Sequence, residues 1–384
     1  MRRYLQIFSG GFAKQEVKIE ELKSKLEKIL KLIKIDGLII GWYENKEFYN
    51  ILKNFLETYG VKLYFWLPLF SELSYFGKFS EVRDYKGNEI EKFSFQEGEN
   101  FEFYCPNNME NIENIKRIFD EKISKYNVDG IFIDKIRYPA FSNGNDAIFT
   151  CFCEKCVEDM KKYGINIEEL KKYIENSFNK KNGNPLEIKQ YKEFKYEFEN
   201  ENLDKYFKFK NQSIFDKVQE LTNYFRKKGF EVGFDIYAPN ISYLFGQDIN
   251  KLSEIADFIK PMYYRKTFAP AGIPFEFQKY GELYDEKAKK YLLELIGEKY
   301  LKDNISNEQM LREIKEISKK YKNIYIGIDF NKKDGIALSN PEYIEEVMNI
   351  LHEGNSEGIV LSWDFMSIPE EHIEIFLKKE AINE

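Results

Sequence analysis

The stretch of sequence that best defines the fold reads Val128-Asp129-Gly130-Ile131-Phe132-Ile133-Asp134-Lys135-Ile136-Arg137-Tyr138-Pro139. Its apolar run begins at Gly130 and stops at Asp134, after which basic and aromatic residues follow. Short, near-continuous apolar runs are typical of parallel strands that are covered on both faces. We therefore predict a buried strand over Gly130–Asp134, with the aspartate at the end where the strand meets solvent.

Seven further runs of the same kind occur along the chain. They are Tyr4–Phe8, Gly37–Trp42, Lys62–Leu67, Glu231–Tyr237, Phe258–Tyr263, Asn323–Phe330 and Gly358–Asp364. Amphipathic stretches with helical spacing separate them, and this repeated alternation predicts an α/β fold, a single (β/α)8 TIM barrel over residues 1–384. An open doubly wound sheet is the alternative, but Ser9-Gly10-Gly11 lacks the glycine pattern of a phosphate-binding loop.

Three connections are longer than a barrel needs, namely 71–108, 139–204 and 266–301. They follow the third, fourth and sixth predicted strands, so we expect all three inserts on the catalytic face of the barrel. Extra length at that face usually builds a substrate cleft or a lid. The segment Glu168–Lys208, rich in Lys, Glu and aromatic residues, is expected to contain helices.

The charge balance and the hydropathy pattern exclude several classes of partner. The net charge is -7 and the pI is about 5.4, whereas a nucleic-acid-binding protein would have a basic footprint. No apolar run approaches the roughly 18 residues that span a bilayer. The apolar part of Met1–Phe8 is too short for a signal peptide, so the chain as given is expected in the cytoplasm.

Histidine occurs only as His352 and His372, both on predicted helices near the carboxyl terminus. Acid–base chemistry must therefore fall mainly to carboxylates, tyrosines or lysines. A metal-dependent hydrolase is disfavoured for the same reason, because such barrels draw histidine ligands from their strand ends.

All four cysteines belong to one pattern. Cys151, Cys153 and Cys156 follow the fourth predicted strand, and Cys105 lies near the end of the long loop after the third. Adjacent strands bring these loops together, and four converging thiolates suit Zn(II). Because four protein ligands complete the coordination shell, the zinc would be structural. Two disulfides, or free buried thiols, are the alternatives.

Aspartates end four of the predicted strands, at Asp134, Asp235, Asp329 and Asp364. Paired carboxylates can supply the acid and the nucleophile or base of glycoside hydrolysis. We predict that Asp134 is the nucleophile or base. Its partner acid is expected to be Asp235 or, as a second choice, Glu276.

Residues beside these acids are candidates for binding a sugar. They are Arg137, Tyr138, Tyr237, Tyr263, Asp329, Trp363 and Asp364. Arg137 and Tyr138 would also keep Asp134 ionised, since a buried carboxylate is costly unless it is paired. The alternatives are a purely structural Asp–Arg pair, turn chemistry at the strand ends, and a surface position for Glu276.

The segment Asp129–Pro139 resembles the D-G-I-x-x-D-x-x-R-Y-P stretch of a group of glycoside-hydrolase-like (β/α)8-barrel proteins. Four other pieces agree with this group: Cys105-Pro106-Asn107-Asn108, Val232-Gly233-Phe234-Asp235, Lys260-Pro261-Met262-Tyr263-Tyr264 and Leu361-Ser362-Trp363-Asp364. The cysteine cluster is similar to the structural zinc site of a family of barrel β-galactosidases. That family's Asn-Glu pair at the end of the fourth strand is missing here, so the zinc site carries over and the galactosidase activity does not.

The residues and the resemblance together predict a glycoside hydrolase that cleaves a carbohydrate through two carboxylates at the carboxyl-terminal face of the barrel. The alternative is a catalytically silent barrel that binds glycans or assembles with a partner. In that case the aromatic residues of the cleft would bind the glycan, and the acids would only stabilise the fold. The oligomeric state cannot be inferred from the sequence.

Overall fold

A computed structural model describes residues 1–12, 17–92, 98–144, 146–180, 183–299 and 303–382. Eight parallel strands close into a barrel, in which the first strand pairs with both the second and the last. We number them barrel strands 1 to 8, and in chain order they are Arg2–Phe8, Gly37–Gly41, Lys62–Pro68, Gly130–Asp134, Glu231–Tyr237, Phe258–Met262, Tyr325–Asp329 and Gly358–Ser362. The predicted (β/α)8 fold is confirmed.

The predicted strand limits differ from the observed ones by one or two residues, mainly at the carboxyl ends. Barrel strand 8 stops at Ser362 rather than at Asp364. The Asp364 side chain instead accepts a hydrogen bond from the backbone N–H of Met366, at 3.2 Å, and caps a short turn. An aspartate whose side chain caps a turn has a backbone in the turn conformation, so it cannot continue the hydrogen-bonded strand.

Amphipathic helices cover the outside of the barrel. Those that connect successive strands are Ile19–Leu30, Lys46–Glu57, Met109–Ile118, Glu201–Lys227, Ile249–Leu252, Asn307–Lys320, Pro341–Glu353 and Glu370–Ile382. Several begin at a polar cap, as where the Asn45 side chain accepts from the N–H of Phe48 at 3.1 Å. Within the described residues, every helix is too short or too polar to cross a membrane.

Additional elements lie in the connections after barrel strands 3, 4, 6 and 7. They are a 3-10 turn at Leu73–Phe76, helices Glu154–Lys162 and Ile167–Ser177, a hairpin of Ile188–Lys192 with Lys195–Phe198, helices Ile273–Leu283 and Glu286–Leu295, and a small hairpin of Lys332–Lys333 with Ala337–Leu338. A short helix, Pro239–Ser242, follows barrel strand 5.

The segment Glu168–Lys208 contains helices, as expected, and it also contains the hairpin Ile188–Phe198. Helices occur at both of its ends, but its centre is a two-stranded sheet. Ile188, Tyr196 and Phe198 are buried there. The Lys- and Glu-rich composition indicated a helix, whereas this apolar packing favours the extended chain.

Aromatic rings fill the barrel at the amino-terminal ends of its strands. The ring of Phe258 packs against Tyr4 and Tyr64, with centroids 5.0 and 5.3 Å apart. Gly37 and Gly130 make room for them, because a Cβ atom there would come within 2.3 Å of the Tyr4 ring and 2.6 Å of the Tyr64 ring. This aromatic layer closes the barrel from below, so its interior is open only at the carboxyl-terminal face.

Candidate active site

A cleft opens at the carboxyl-terminal ends of the strands, with an empty volume of about 810 Å³ counted out to its mouth. Its charged lining residues are Glu99, Asp134, Lys135, Arg137, Asp235 and Lys333. Its aromatic lining residues are Phe8, Trp66, Phe101, Tyr237, Tyr264 and Trp363. A concave, largely apolar site with a few polar groups is the usual form of a small-molecule pocket.

The ladder between barrel strands 4 and 5 brings two aspartates level with each other. Ile133 pairs with Phe234, so the next residues along the two strands are Asp134 and Asp235. Both point inward because side chains alternate along a strand, and both line the cleft. The structure therefore brings together the two acids that the sequence analysis ranked first.

Asp134 is partly exposed at the end of barrel strand 4. Trp66, from the neighbouring strand, donates its indole N–H to Asp134 Oδ2 at 3.1 Å. The backbone N–H of Lys135 donates to Oδ1. These two contacts fix the plane of the carboxylate while it remains open to the cleft.

Asp235 is only 1% exposed and lies at the floor of the cleft. Lys260 Nζ donates to Asp235 Oδ2 at 2.8 Å. Burial raises the pKa of Asp235 to about 7, although the positive charge of Lys260 acts in the opposite direction and the negative charge of Asp134 adds to the rise. A carboxyl group with a pKa near 7 can hold a proton at neutral pH and release it during a reaction.

Lys260 is a site residue that the sequence analysis did not select. Its ammonium also donates to Gln6 Oε1 at 2.7 Å and to the Tyr264 hydroxyl at 2.6 Å, and it is fully buried. Burial lowers its pKa, and the nearby Asp235 carboxylate offsets part of that change. The sequence signal that could have identified it is the position of a lysine inside the apolar run Phe258–Met262. A lysine buried in a strand needs an acidic partner, so an acid on a neighbouring strand would have been expected.

Arg137 lies in the cleft wall, but it does not pair with Asp134 as predicted. Its guanidinium is held between the rings of Phe103 and Tyr237, 4.5 and 4.7 Å from their centroids. One N–H group donates to the backbone carbonyl of Tyr138 at 3.0 Å. Among the described residues no carboxylate lies within ion-pair distance of Arg137, because the aromatic clamp holds it along the wall.

Glu276 is completely buried in the first turn of the helix Ile273–Leu283, so the alternative of a surface acid is wrong. Its carboxylate accepts hydrogen bonds from the Tyr237 hydroxyl at 3.0 Å and from the N–H groups of Ser142 and Ala271 at 3.1 and 3.2 Å. Burial raises its pKa, and the charge of Arg137 partly offsets the rise. Glu276 lies behind Tyr237 and is not part of the cleft lining.

Two predicted sugar-binding tyrosines lie away from the cleft. Tyr263 follows the inward-facing Met262, so alternation turns its side chain outward, where its hydroxyl donates to the buried carboxylate of Glu313 at 2.8 Å. Tyr138 packs beside the cysteine cluster, with the ammonium of Lys210 over its ring at 4.9 Å. Tyr237 and Trp363, in contrast, do line the cleft.

Asp329 and Asp364 also lie outside the lining. Asp364 caps the turn described above, and Asp329 braces the loop after barrel strand 6. Its carboxylate accepts from the Tyr343 hydroxyl at 2.6 Å, the backbone N–H of Lys266 at 2.7 Å and the Thr267 hydroxyl at 2.8 Å. Both acids therefore make local contacts of the kind that hold the fold together.

We expect Asp329→Ala to destabilise the protein by about 3 kcal/mol, because three buried donors lose their acceptor. Asp334→Ala, at an exposed position of the next turn, is the matched control and should leave the unfolding temperature unchanged. Thermal unfolding followed by circular dichroism measures both variants, and a drop of about 5 °C is expected for Asp329→Ala. Equal unfolding temperatures would contradict the bracing role.

The remaining wall of the cleft contains a buried lysine with acidic partners. Lys135 has a positive φ of 51°, which turns its side chain back under Trp42 and Phe101, 5.2 and 4.3 Å from the ring centroids. Its ammonium donates to Glu72 and, at 3.3 Å, to Glu99. The charge of Lys135 is therefore balanced within the protein.

The four cysteines meet outside the cleft. Their sulfur atoms all lie within 4.8 Å of one another, and none of the four is in a disulfide. Cys105 Sγ is 3.4 Å from Cys156 Sγ and 3.6 Å from Cys153 Sγ, while the backbone N–H groups of Arg83 and Cys153 donate to Cys151 Sγ at 3.4 Å. The cluster has the composition and spacing of a metal site, and the disulfide alternative is wrong.

No family model and no curated protein sequence matches the chain. Among solved structures, the chain is similar to the PgaB (BpsB) glycoside hydrolase domain from Bordetella bronchiseptica, with a TM-score of 0.58 and 11% sequence identity. That match covers 100% of this chain and 98% of the other.

Two β-galactosidases are also similar. The enzyme of the Antarctic haloarchaeon Halorubrum lacusprofundi has a TM-score of 0.61 and 13% identity, and 99% of this chain covers 58% of it. The enzyme of the psychrophilic Marinomonas ef1 has a TM-score of 0.53 and 11% identity, and 100% of this chain covers 60% of it. The expected likeness to glycoside hydrolases and to barrel β-galactosidases is confirmed at the level of the fold.

Proposed function

We propose that this protein is a glycoside hydrolase and that Asp134 and Asp235 are its two catalytic carboxylates. The observation that carries the proposal is their position, level with each other on adjacent strands in one cleft with aromatic walls. Glycoside hydrolysis needs two carboxyl groups that flank the scissile bond. The fold shared with several glycoside hydrolases agrees with this assignment.

The two environments assign the roles. Asp134 is partly exposed and accepts two N–H hydrogen bonds, which suits a carboxylate that acts as nucleophile or as the base for water. Burial raises the pKa of Asp235 to about 7, which suits the acid that protonates the leaving oxygen. Glu276 is less suited, because its oxygens are occupied by Tyr237, Ser142 and Ala271.

The cleft walls would hold the sugar. Trp66 and Trp363 line the cleft with aromatic surface, which fits the apolar faces of a sugar ring. Tyr237 is fully buried and would act by holding Arg137 and Glu276 in place. The residues Tyr138, Tyr263, Asp329 and Asp364 act more remotely in this scheme, by supporting the loops that shape the cleft.

Lys260→Met should move the alkaline limb of the pH–activity profile to higher pH. The acid must be protonated to act, so the limb follows the pKa of Asp235, and the charge of Lys260 lowers that pKa. Lys53→Met is the control, since Lys53 pairs with Asp129 at the opposite end of the barrel, at 2.7 Å. A limb that stays in place, or moves to lower pH, would exclude Asp235 as the acid.

The proposed function is tested by screening the wild-type protein against aryl glycosides and polysaccharides of different sugars and linkages. Release of sugar or aryl alcohol from at least one member is the expected result. Retention of glycans without any hydrolysis would instead favour the silent glycan-binding barrel. The same screen would identify the sugar and its linkage.

We also infer that Cys105, Cys151, Cys153 and Cys156 hold one structural Zn(II). Sulfur–sulfur distances of 3.4 and 3.6 Å fit tetrahedral ligands with Zn–S bonds of about 2.3 Å. Cys105 comes from the loop after barrel strand 3, and the other three follow barrel strand 4. The metal would tie together two loops beside the cleft and supply no chemistry to the reaction.

A further inference from the structure

The guanidinium of Arg137 is a buried cation of the cleft with unused donors. The residue is 4% exposed, and within the described chain only the Tyr138 carbonyl accepts one of its N–H groups. The rings of Phe103 and Tyr237 cover its faces, so the remaining donors can point only along the edge of the group. Arg137 lines the cleft, and these donors are therefore available to a ligand.

Two buried lysines near Arg137 differ from it in this respect. Lys135 binds Glu72 and Glu99, and Lys260 binds Asp235. Glu276 is near enough for Arg137 to lower its pKa, but the two groups form no ion pair within 4.0 Å. The oxygens of Glu276 instead accept hydrogen bonds from Tyr237, Ser142 and Ala271, so the guanidinium keeps donors that no carboxylate of the described residues accepts.

We propose that Arg137 recognises an anionic oxygen group on the substrate, either the carboxylate of a uronic acid or a sulfate ester. A desolvated, planar guanidinium held in place by aromatic faces loses little conformational freedom when it binds a two-oxygen anion. A neutral hydroxyl would leave the positive charge unpaired in the wall. The inference rests on the proposed function in that it takes the ligand to be a sugar, and it names the class of that sugar.

Binding is measured by calorimetry with Asp134→Asn, which keeps the cleft but prevents turnover. The probes are glucuronic and galacturonic acid oligosaccharides of several linkages, each paired with its neutral methyl ester, and sulfated oligosaccharides paired with their desulfated forms. We expect at least one acid to bind about tenfold or more tightly than its neutral partner, because a hydrogen bond to a charged group is worth more than one to a neutral group. Whether the uronate or the sulfate pair discriminates identifies the anion.

Arg137→Gln in the same background should abolish this preference, so that the acid and its neutral partner bind with affinities within about threefold of each other. Arg137→Lys keeps the positive charge but loses the planar guanidinium with its paired N–H donors, so it should retain part of the preference for the anion. The matched control is Arg265→Gln. Arg265 is also buried, but it donates to the Ile305 carbonyl and to Asn307 at 2.9 and 2.7 Å, outside the cleft lining, so the preference should persist.

If no anionic oligosaccharide in the panel binds better than its neutral partner, the inference is overturned, and this result does not depend on the folding of any Arg137 variant. Equal preference in Arg137→Gln and the parent protein overturns it as well. Because binding is measured without turnover, the failure is distinct from failure of the proposed function. If the wild type hydrolyses neutral sugars alone, the proposed hydrolase function stands and the proposed anion recognition is excluded. If Arg137 binds an anionic sugar but the wild type hydrolyses nothing, the anion recognition stands and the hydrolase function is excluded.

Discussion

Asp134→Asn should lower kcat on any substrate found in the screen by about a thousandfold or more, while KM changes little. The amide is close in shape to the carboxylate, but it can neither attack the anomeric carbon nor take a proton from water. Trp66 and the N–H of Lys135 donate to different oxygens of Asp134, so the single amide oxygen of the asparagine can keep one of these two hydrogen bonds. Steady-state kinetics of the variant and the wild type, measured on the same substrate, provide the comparison.

Asp129→Asn is the matched control for this experiment. It places the same substitution just before the same strand, at the opposite end of the barrel, where Asp129 pairs with Lys53 and accepts from the N–H of Leu63. We expect it to cost stability and to leave kcat within about threefold, since such a pair serves the fold. Should Asp134→Asn retain more than a tenth of the wild-type kcat, Asp134 is not the nucleophile or base.

Cys156→Ser should release the metal and lower the unfolding temperature by at least about 10 °C, because a structural zinc contributes its binding free energy to folding. The wild-type protein, purified without chelators, should contain one zinc ion per chain by elemental analysis. The variant should contain much less. Incubation of the wild type with a strong chelator should lower its unfolding temperature in the same direction.

Ser213→Ala serves as the control for the cysteine variant. The Ser213 hydroxyl accepts from Asn107 at 3.0 Å, and Asn107 in turn donates to Cys156 Sγ at 3.4 Å, so the change is made beside the cluster without removing a sulfur. It should retain the zinc. Wild-type protein without bound metal, or a Cys156→Ser variant as stable as the wild type, would favour free thiols instead.

The spacing of apolar residues was sufficient to predict the barrel. Strands buried on both faces give continuous apolar runs, and connecting helices buried on one face give apolar residues at helical spacing. Leu22, Leu26 and Ile29 illustrate the second pattern, since all three are buried in the helix Ile19–Leu30. The position of Asp134 and Asp235 was predictable for a related reason. An acid directly after a long apolar run marks the level at which a parallel strand reaches the open face.

The direction of individual side chains was harder to predict. Tyr263 was placed in the cleft because it ends an apolar run, yet Lys260 already fixes the alternation of that strand. With Lys260 facing inward toward Asp235, residues 262 and 264 also face inward and Tyr263 must face the helices. The sequence analysis paired Arg137 with Asp134 and missed its contacts with two aromatic rings. Those rings, Phe103 and Tyr237, come from two distant parts of the chain.

The aromatic layer at the base of the barrel also controls where protons can travel. Below Asp235 and Lys260, the rings of Phe132 and Phe258 are stacked with centroids 5.7 Å apart, so water cannot approach the pair from that side. A sugar bound above would cover the remaining approach. In the proposed mechanism, the water that exchanges protons with Asp235 would therefore have to enter through the mouth of the cleft.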